Sequence, residues 1–74
     1  MEALKVGRSI AFLRKRYRMT QRALADCLHI SDKAVSKWER GLAIPDVSLL
    51  GKLSVLLDTD IESILEGNIA SFDV

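Results

Sequence analysis

Cysteine, proline, histidine and tryptophan each occur once in this chain, and aromatic residues make up only 5% of it. A lone cysteine, Cys27, closes no internal disulfide, and a lone histidine, His29, gives no ligand cluster for a metal ion. With so few rings the core must come from Leu, Ile, Val and Ala, which favours helices over a β-sandwich. No apolar run approaches the roughly 18 residues of a membrane span. The N-terminus, Met-Glu-Ala-Leu-Lys-Val-Gly-Arg, lacks the apolar block of a signal peptide, so a soluble cytoplasmic protein is expected. Catalytic furniture is missing as well: there are no paired carboxylates flanking a plausible cleft and no Gly-rich phosphate loop. A chain of 74 residues leaves room for one domain and little for a pocket, so no enzyme is expected.

What is present is helical periodicity with punctuation. Val6, Ile10, Leu13 and Tyr17 mark one face of a helix from about Leu4 to Tyr17. Thr20 caps a second helix, Gln21 to Leu28, that buries Leu24, Ala25 and Leu28. Ser31 caps a third, Asp32 to Arg40, which Gly41 stops. Pro45 enforces a loop, and Asp46 caps a fourth helix, Val47 to Leu57, with an apolar stripe of Leu49, Leu50, Leu53, Leu56 and Leu57. Asp60 caps a short fifth helix, Ile61 to Glu66, closed by Gly67. The expectation is an all-α, compact five-helix domain. The last seven residues, Asn68 to Val74, have no cap or period that decides between fraying, docking and a cut from a longer protein.

Charge is segregated. Net charge is +1, yet ten of the eleven Lys/Arg and four of the ten Asp/Glu lie in residues 1–40. One half is therefore strongly basic and the other acidic, as suits a molecule with one face toward a polyanion. The segment Thr20 to Gly41 reads as two short helices joined by a tight turn, the layout of a helix-turn-helix. Val35 and Trp38, three apart on the third helix, belong to the core, which leaves Asp32, Lys33, Ser36, Lys37 and Arg40 outward. A B-DNA major groove admits one such helix, and lysines there reach guanine O6/N7 or a phosphate. Asp32 either accepts from cytosine N4 or simply favours the helix N-terminus. Gln21, at the start of the second helix, can bond a phosphate oxygen, and Arg22 and Arg40 are further phosphate candidates. Arg8, Lys15, Arg16 and Arg18 come after these. Trp38 reads as core and not as a stacking platform, and Cys27 as a small buried hydrophobe and not a redox sensor.

The residues Leu13-Arg14, Thr20-Gln21, Leu24-Ala25, Val35-Ser36-Lys37-Trp38-Glu39-Arg40-Gly41 and Pro45-Asp46, in this order and spacing, resemble the Cro/repressor-type helix-turn-helix regulators of bacteria and phages. The resemblance runs from residue 4 to about 67. It implies a lambda-repressor-like DNA-binding domain over residues 1–67 with a tail at 68–74, and sequence-specific binding of double-stranded DNA by a transcriptional regulator, most often a repressor. It also implies that Gln21 positions the protein on a phosphate, and that Arg14 and Glu39 pair between the first and third helices to fix the tilt of the reading helix. His29 departs from the glycine often found at the turn, a left-handed position that histidine tolerates at a cost of about 1 kcal/mol. Asp58 similarly stands where glycine would end the fourth helix. The resemblance further implies a homodimer on two half-sites, with the dimer contact sought in the fifth helix and tail through Ile61, Ile64, Leu65, Ile69 and Phe72. No cofactor or small-molecule ligand is called for. The alternative is a protein-interaction module, antitoxin-like or an adaptor, that keeps the fold.

Overall fold

The computed structural model describes residues 2–68 and Phe72. Among them are five helices and no strand: α1 (Ala3–Arg16), α2 (Gln21–Leu28), α3 (Asp32–Glu39), α4 (Val47–Leu56) and α5 (Ile61–Glu66). Each start after the first is made by a side chain that accepts from a backbone N–H otherwise without a partner. Thr20 accepts from Ala23, Ser31 from Ala34, Asp46 from Ser48 and Asp60 from Ser63. The ends are equally uniform. After α1, α2, α3 and α4 the chain closes with paired backbone bonds of the Schellman type, such as Ile30 N–H to Ala25 C=O and His29 N–H to Asp26 C=O. The left-handed residue in these four closures is Arg18, His29, Gly41 or Asp58, with φ of 57°, 58°, 74° and 50°.

Helix α1 is the spine. Its Val6, Ile10 and Leu13 are buried against residues from the other helices, including Leu24, Val35, Leu53 and Ile64. Packing of α1 on α3 is unusually close at Gly7, where an added Cβ would lie 2.0 Å from the Trp38 carbonyl oxygen. Only a residue without Cβ fits there. Ser9, fully buried on the same helix, donates to the Lys5 carbonyl at 3.3 Å and lies 3.4 Å from the Ser63 carbonyl, so its hydroxyl is satisfied between α1 and α5.

Several expectations need correction. Cys27 is exposed. An eight-residue helix has room for one narrow buried stripe, which Leu24, Ala25 and Leu28 fill, and Cys27 falls beside it. Tyr17 is also exposed, because α1 ends at Arg16 and Tyr17 is already its cap, with its hydroxyl 3.4 Å from Asp58. Helices α3 and α4 each stop one residue short of the expected span, at Glu39 and Leu56. Of the residues sought for dimer contact, Ile64 is fully buried and Phe72 is 8% exposed and stacked on Phe12 with ring centroids 5.8 Å apart, whereas Ile61 is 39% exposed. Arg16 donates to the Phe72 carbonyl. Ile69 lies outside the described residues.

Candidate nucleic-acid interface

Helix α3 has two faces with different tasks. Val35 and Trp38 are buried, so the helix cannot rotate without opening the core. Lys33, Lys37 and Arg40 are exposed, whereas Asp32 and Ser36 are half-buried. Lys33 and Lys37 are one turn apart and project from the same side. Arg40 caps the helix, and its guanidinium Nε donates to the Ser36 carbonyl at 3.3 Å, which lays the side chain back along the turn. Asp32 sits in the first turn of α3, where its charge suits the helix dipole.

The inner end of α3 is tied to α1 by a bidentate ion pair. Arg14 Nε donates to Glu39 Oε2 at 2.6 Å and Nη2 to Oε1 at 2.9 Å, and the side chains are 10% and 9% exposed. The remaining guanidinium nitrogen, Nη1, donates to the Met19 carbonyl at 2.8 Å, so the arginine also fixes the chain between α1 and α2. This hydrogen bonding to Glu39, the largest influence, together with its charge, outweighs burial and raises the Arg14 pKa above its ordinary value. Arginine suits the position because its planar fork matches a carboxylate.

Gln21 enters the same cluster. Its Nε2 donates to Glu39 Oε1 at 3.1 Å. Glu39 therefore ties the start of α2, the end of α3 and the middle of α1 into one polar unit, and the Gln21 amide still has an N–H and its oxygen for another partner. Arg22, by contrast, is exposed and holds Asp26 at 3.2 Å across one turn of α2. The structure thus brings Arg14, Glu39 and Gln21 together and leaves Lys33, Lys37 and Arg40 facing outward.

Two contributors to this geometry were not singled out from the sequence. Gly7 lets the backbone of α1 approach Trp38 and Glu39, and the signal was available as an isolated glycine beside the apolar row of α1. The Met19 carbonyl is backbone, so no residue type announces it.

Residues 10–64 match the helix-turn-helix family model. The chain belongs to the helix-turn-helix family, in its Cro/repressor type. Over 65 residues this family member is 42% identical to the HTH-type transcriptional regulator DicA of Escherichia coli strain K12, covering 88% of this chain and 48% of that protein. Over 55 residues it is 38% identical to the SPbeta prophage-derived uncharacterized HTH-type transcriptional regulator YonR of Bacillus subtilis strain 168, covering 74% and 51%. The chain spans about half the length of these curated relatives. In solved structures, the DNA-binding domain of the P22 C2 repressor matches with a TM-score of 0.79 and 30% identity, covering 93% of this chain and 91% of that one. Apo-HppE matches with a TM-score of 0.77 at 23% identity over 86% of this helix-turn-helix chain and 36% of its own, a likeness of fold alone.

Proposed function

We propose that the chain binds double-stranded DNA sequence-specifically, as the DNA-binding domain of a transcriptional regulator of the repressor kind, acting in the cytoplasm as a homodimer. The observation that carries this reading is the outward basic row of α3, Lys33, Lys37 and Arg40, on a helix whose inner end is fixed by the Arg14–Glu39 pair. A protein-interaction module of the same fold has no need of that row. No cofactor and no catalytic step enter.

Each side chain then has a role set by its position. Lys33, Lys37 and Ser36 face base edges in the major groove, with Asp32 at the N-terminal end of the same helix beside them. Gln21 takes a phosphate oxygen with its free N–H, helped by the unpaired backbone N–H groups at the start of α2. Arg40 takes a phosphate at the other end of α3. Arg22 can do so by leaving Asp26, which costs little because exposed pairs of this kind are weak. Arg14 neutralises Glu39 beside the phosphate path and holds α3 at its tilt.

Selection of bound duplexes from a random library tests the reading directly, with enrichment of a two-fold palindrome as the expected result. On the selected duplex, a dimer that neutralises roughly 6 phosphates gives log K against log salt a slope near −5. A slope close to zero, or no enrichment, overturns it.

A further inference from the structure

Helix α1 carries five basic residues and no acidic one, and the fold sorts them by the side of the helix on which they fall. Arg14 is buried on Glu39. Lys5 holds Glu2 at 3.3 Å, and Arg16 donates to the Phe72 carbonyl, so both are engaged within the chain. Arg8 and Lys15 are exposed, and among the described residues no acceptor takes either of them. Lys15, in the last turn, suits the helix dipole; Arg8, in the middle, gains nothing from it.

The direction of these two side chains follows from the contacts of their neighbours. Gly7 lies against the Trp38 carbonyl and Glu39 Cα, Leu4 against Gly41, and Arg14 against Glu39, so residues 4, 7 and 14 mark the seam along which α1 meets the end of α3. Val6, Ile10 and Leu13 lie on the core side of that seam, as do Val35 and Trp38 of α3. One residue past Gly7 or Arg14 is about 100° further round the helix, which puts Arg8 and Lys15 on the outer side, away from the core. The outward face of α3, with Lys33, Lys37 and Arg40, opens on that same side of the seam. Arg8 and Lys15 are two turns apart, about 10 Å along the axis, far enough to hold separate phosphates. We propose that they form a second track for the DNA backbone, running along α1 beside the reading helix and holding phosphates in addition to those taken by Gln21 and Arg40. The occupant is a polyanion because the strip offers two unspent cations on a helix without a carboxylate. It is the same duplex because the strip is continuous with the basic row of α3.

This track rests on the DNA reading, and the two fail differently. Binding of the 74-residue chain to the selected duplex and to random duplex of equal length is followed by fluorescence anisotropy across a range of salt. The Arg8→Ala/Lys15→Ala variant should make log K against log salt shallower by about 2 for each bound chain, from near −5 to near −2 for a dimer, because each lost phosphate contact removes about 0.9. The loss should be equal on both duplexes, since phosphates carry no sequence, and the melting temperature should hardly change. Lys5→Ala takes the same charge from the same helix, but from a residue already paired with Glu2, and should leave the slope as it is. A slope near zero for the unaltered chain refutes the DNA reading and the track with it. A steep slope that the double variant keeps, or that Lys5→Ala flattens as much, overturns the track alone and leaves recognition by α3 standing. A loss confined to the selected duplex also overturns it, because Arg8 and Lys15 would then be reading bases.

Discussion

Replacing Gly7 by alanine inserts one methyl group where α1 and α3 touch. Its carbon would lie 2.0 Å from the Trp38 carbonyl oxygen, 2.9 Å from the carbonyl carbon and 3.1 Å from Glu39 Cα. All three are backbone atoms, so no rotamer change makes room and the two helices must separate. Overpacking of this kind costs about 1 to 3 kcal/mol, and a backbone clash belongs at the upper end. Alanine returns about 1 kcal/mol through its better helix propensity, so the net loss is about 2 kcal/mol. At ~4 to 8 °C per kcal/mol for a domain of this size, the melting temperature should fall by about 10 °C. Circular dichroism on heating, with urea titration to convert the shift into free energy, measures it. Gly51→Ala is the internal control, since its methyl enters open space and should stabilise by about 0.5 to 1 kcal/mol in dilute, monomeric protein. Two glycine-to-alanine changes on two helices should therefore have opposite signs. A rise in melting temperature for Gly7→Ala would refute the close approach of α1 to α3.

The remaining expectations concern charge and recognition. A double-mutant cycle of Arg14→Ala and Glu39→Ala should give a coupling energy of about 2 kcal/mol, above the exposed-pair range, and additivity within about 0.3 kcal/mol on thermal unfolding would contradict the pairing. Hydrogen bonds from the Ser48 hydroxyl and backbone hold the Asp46 carboxyl below its ordinary 3.8, and bonds from the Ser63 backbone and hydroxyl do the same for Asp60. Their contribution to stability is present above about pH 4 and is lost as pH falls through the lowered folded values. Melting temperature should drop on acidification, and less steeply in the Asp46→Asn/Asp60→Asn variant, whose amides keep the caps without titrating; an unchanged slope would deny the two caps this part. In DNA binding, Lys37→Ala should relax preference at one or two base pairs of each half-site with a loss of about 1 to 3 kcal/mol on the preferred sequence. Gln21→Ala should weaken specific and random duplexes alike. Equal losses for both variants on both kinds of DNA would remove the division of labour.

Legibility from sequence followed the range of the interaction. Helix starts were read correctly at Thr20, Ser31, Asp46 and Asp60 because a cap needs only a side chain and an N–H two or three residues away. The left-handed closures at His29 and Gly41 were legible for the same reason, whereas Arg18 adopts the same conformation with no composition signal. Periodicity placed Val35 and Trp38 in the core but overextended α1 to Tyr17, since one more step of four residues looks the same whether or not the helix still runs. Cys27 was misplaced because its residue type suggests burial while its angular position beside Leu24 and Leu28 does not. The contacts that hold the candidate site together join residues far apart in sequence. Arg14 and Glu39 could be paired only by resemblance to a family, and neither the Gln21 link to Glu39 nor the fit of Gly7 against Trp38 has a local signature.

Glu39 accepts from Gln21 with the same oxygen that receives Arg14 Nη2, so one carboxylate ties the start of α2 to the end of α3. In the proposed complex with a duplex, this tie would fix the separation between a backbone phosphate held by Gln21 and the floor of the major groove under α3. The protein would then gauge the shape of the double helix as well as its base edges, because a sequence whose groove is too wide or too narrow must be deformed to fit, at an elastic cost set by its stiffness. Base pairs that no side chain touches should consequently alter affinity. Weakening the tie to Gln21, as Glu39→Gln does by exchanging a charged acceptor for a neutral one, should flatten that dependence before it abolishes the contacts to the bases themselves.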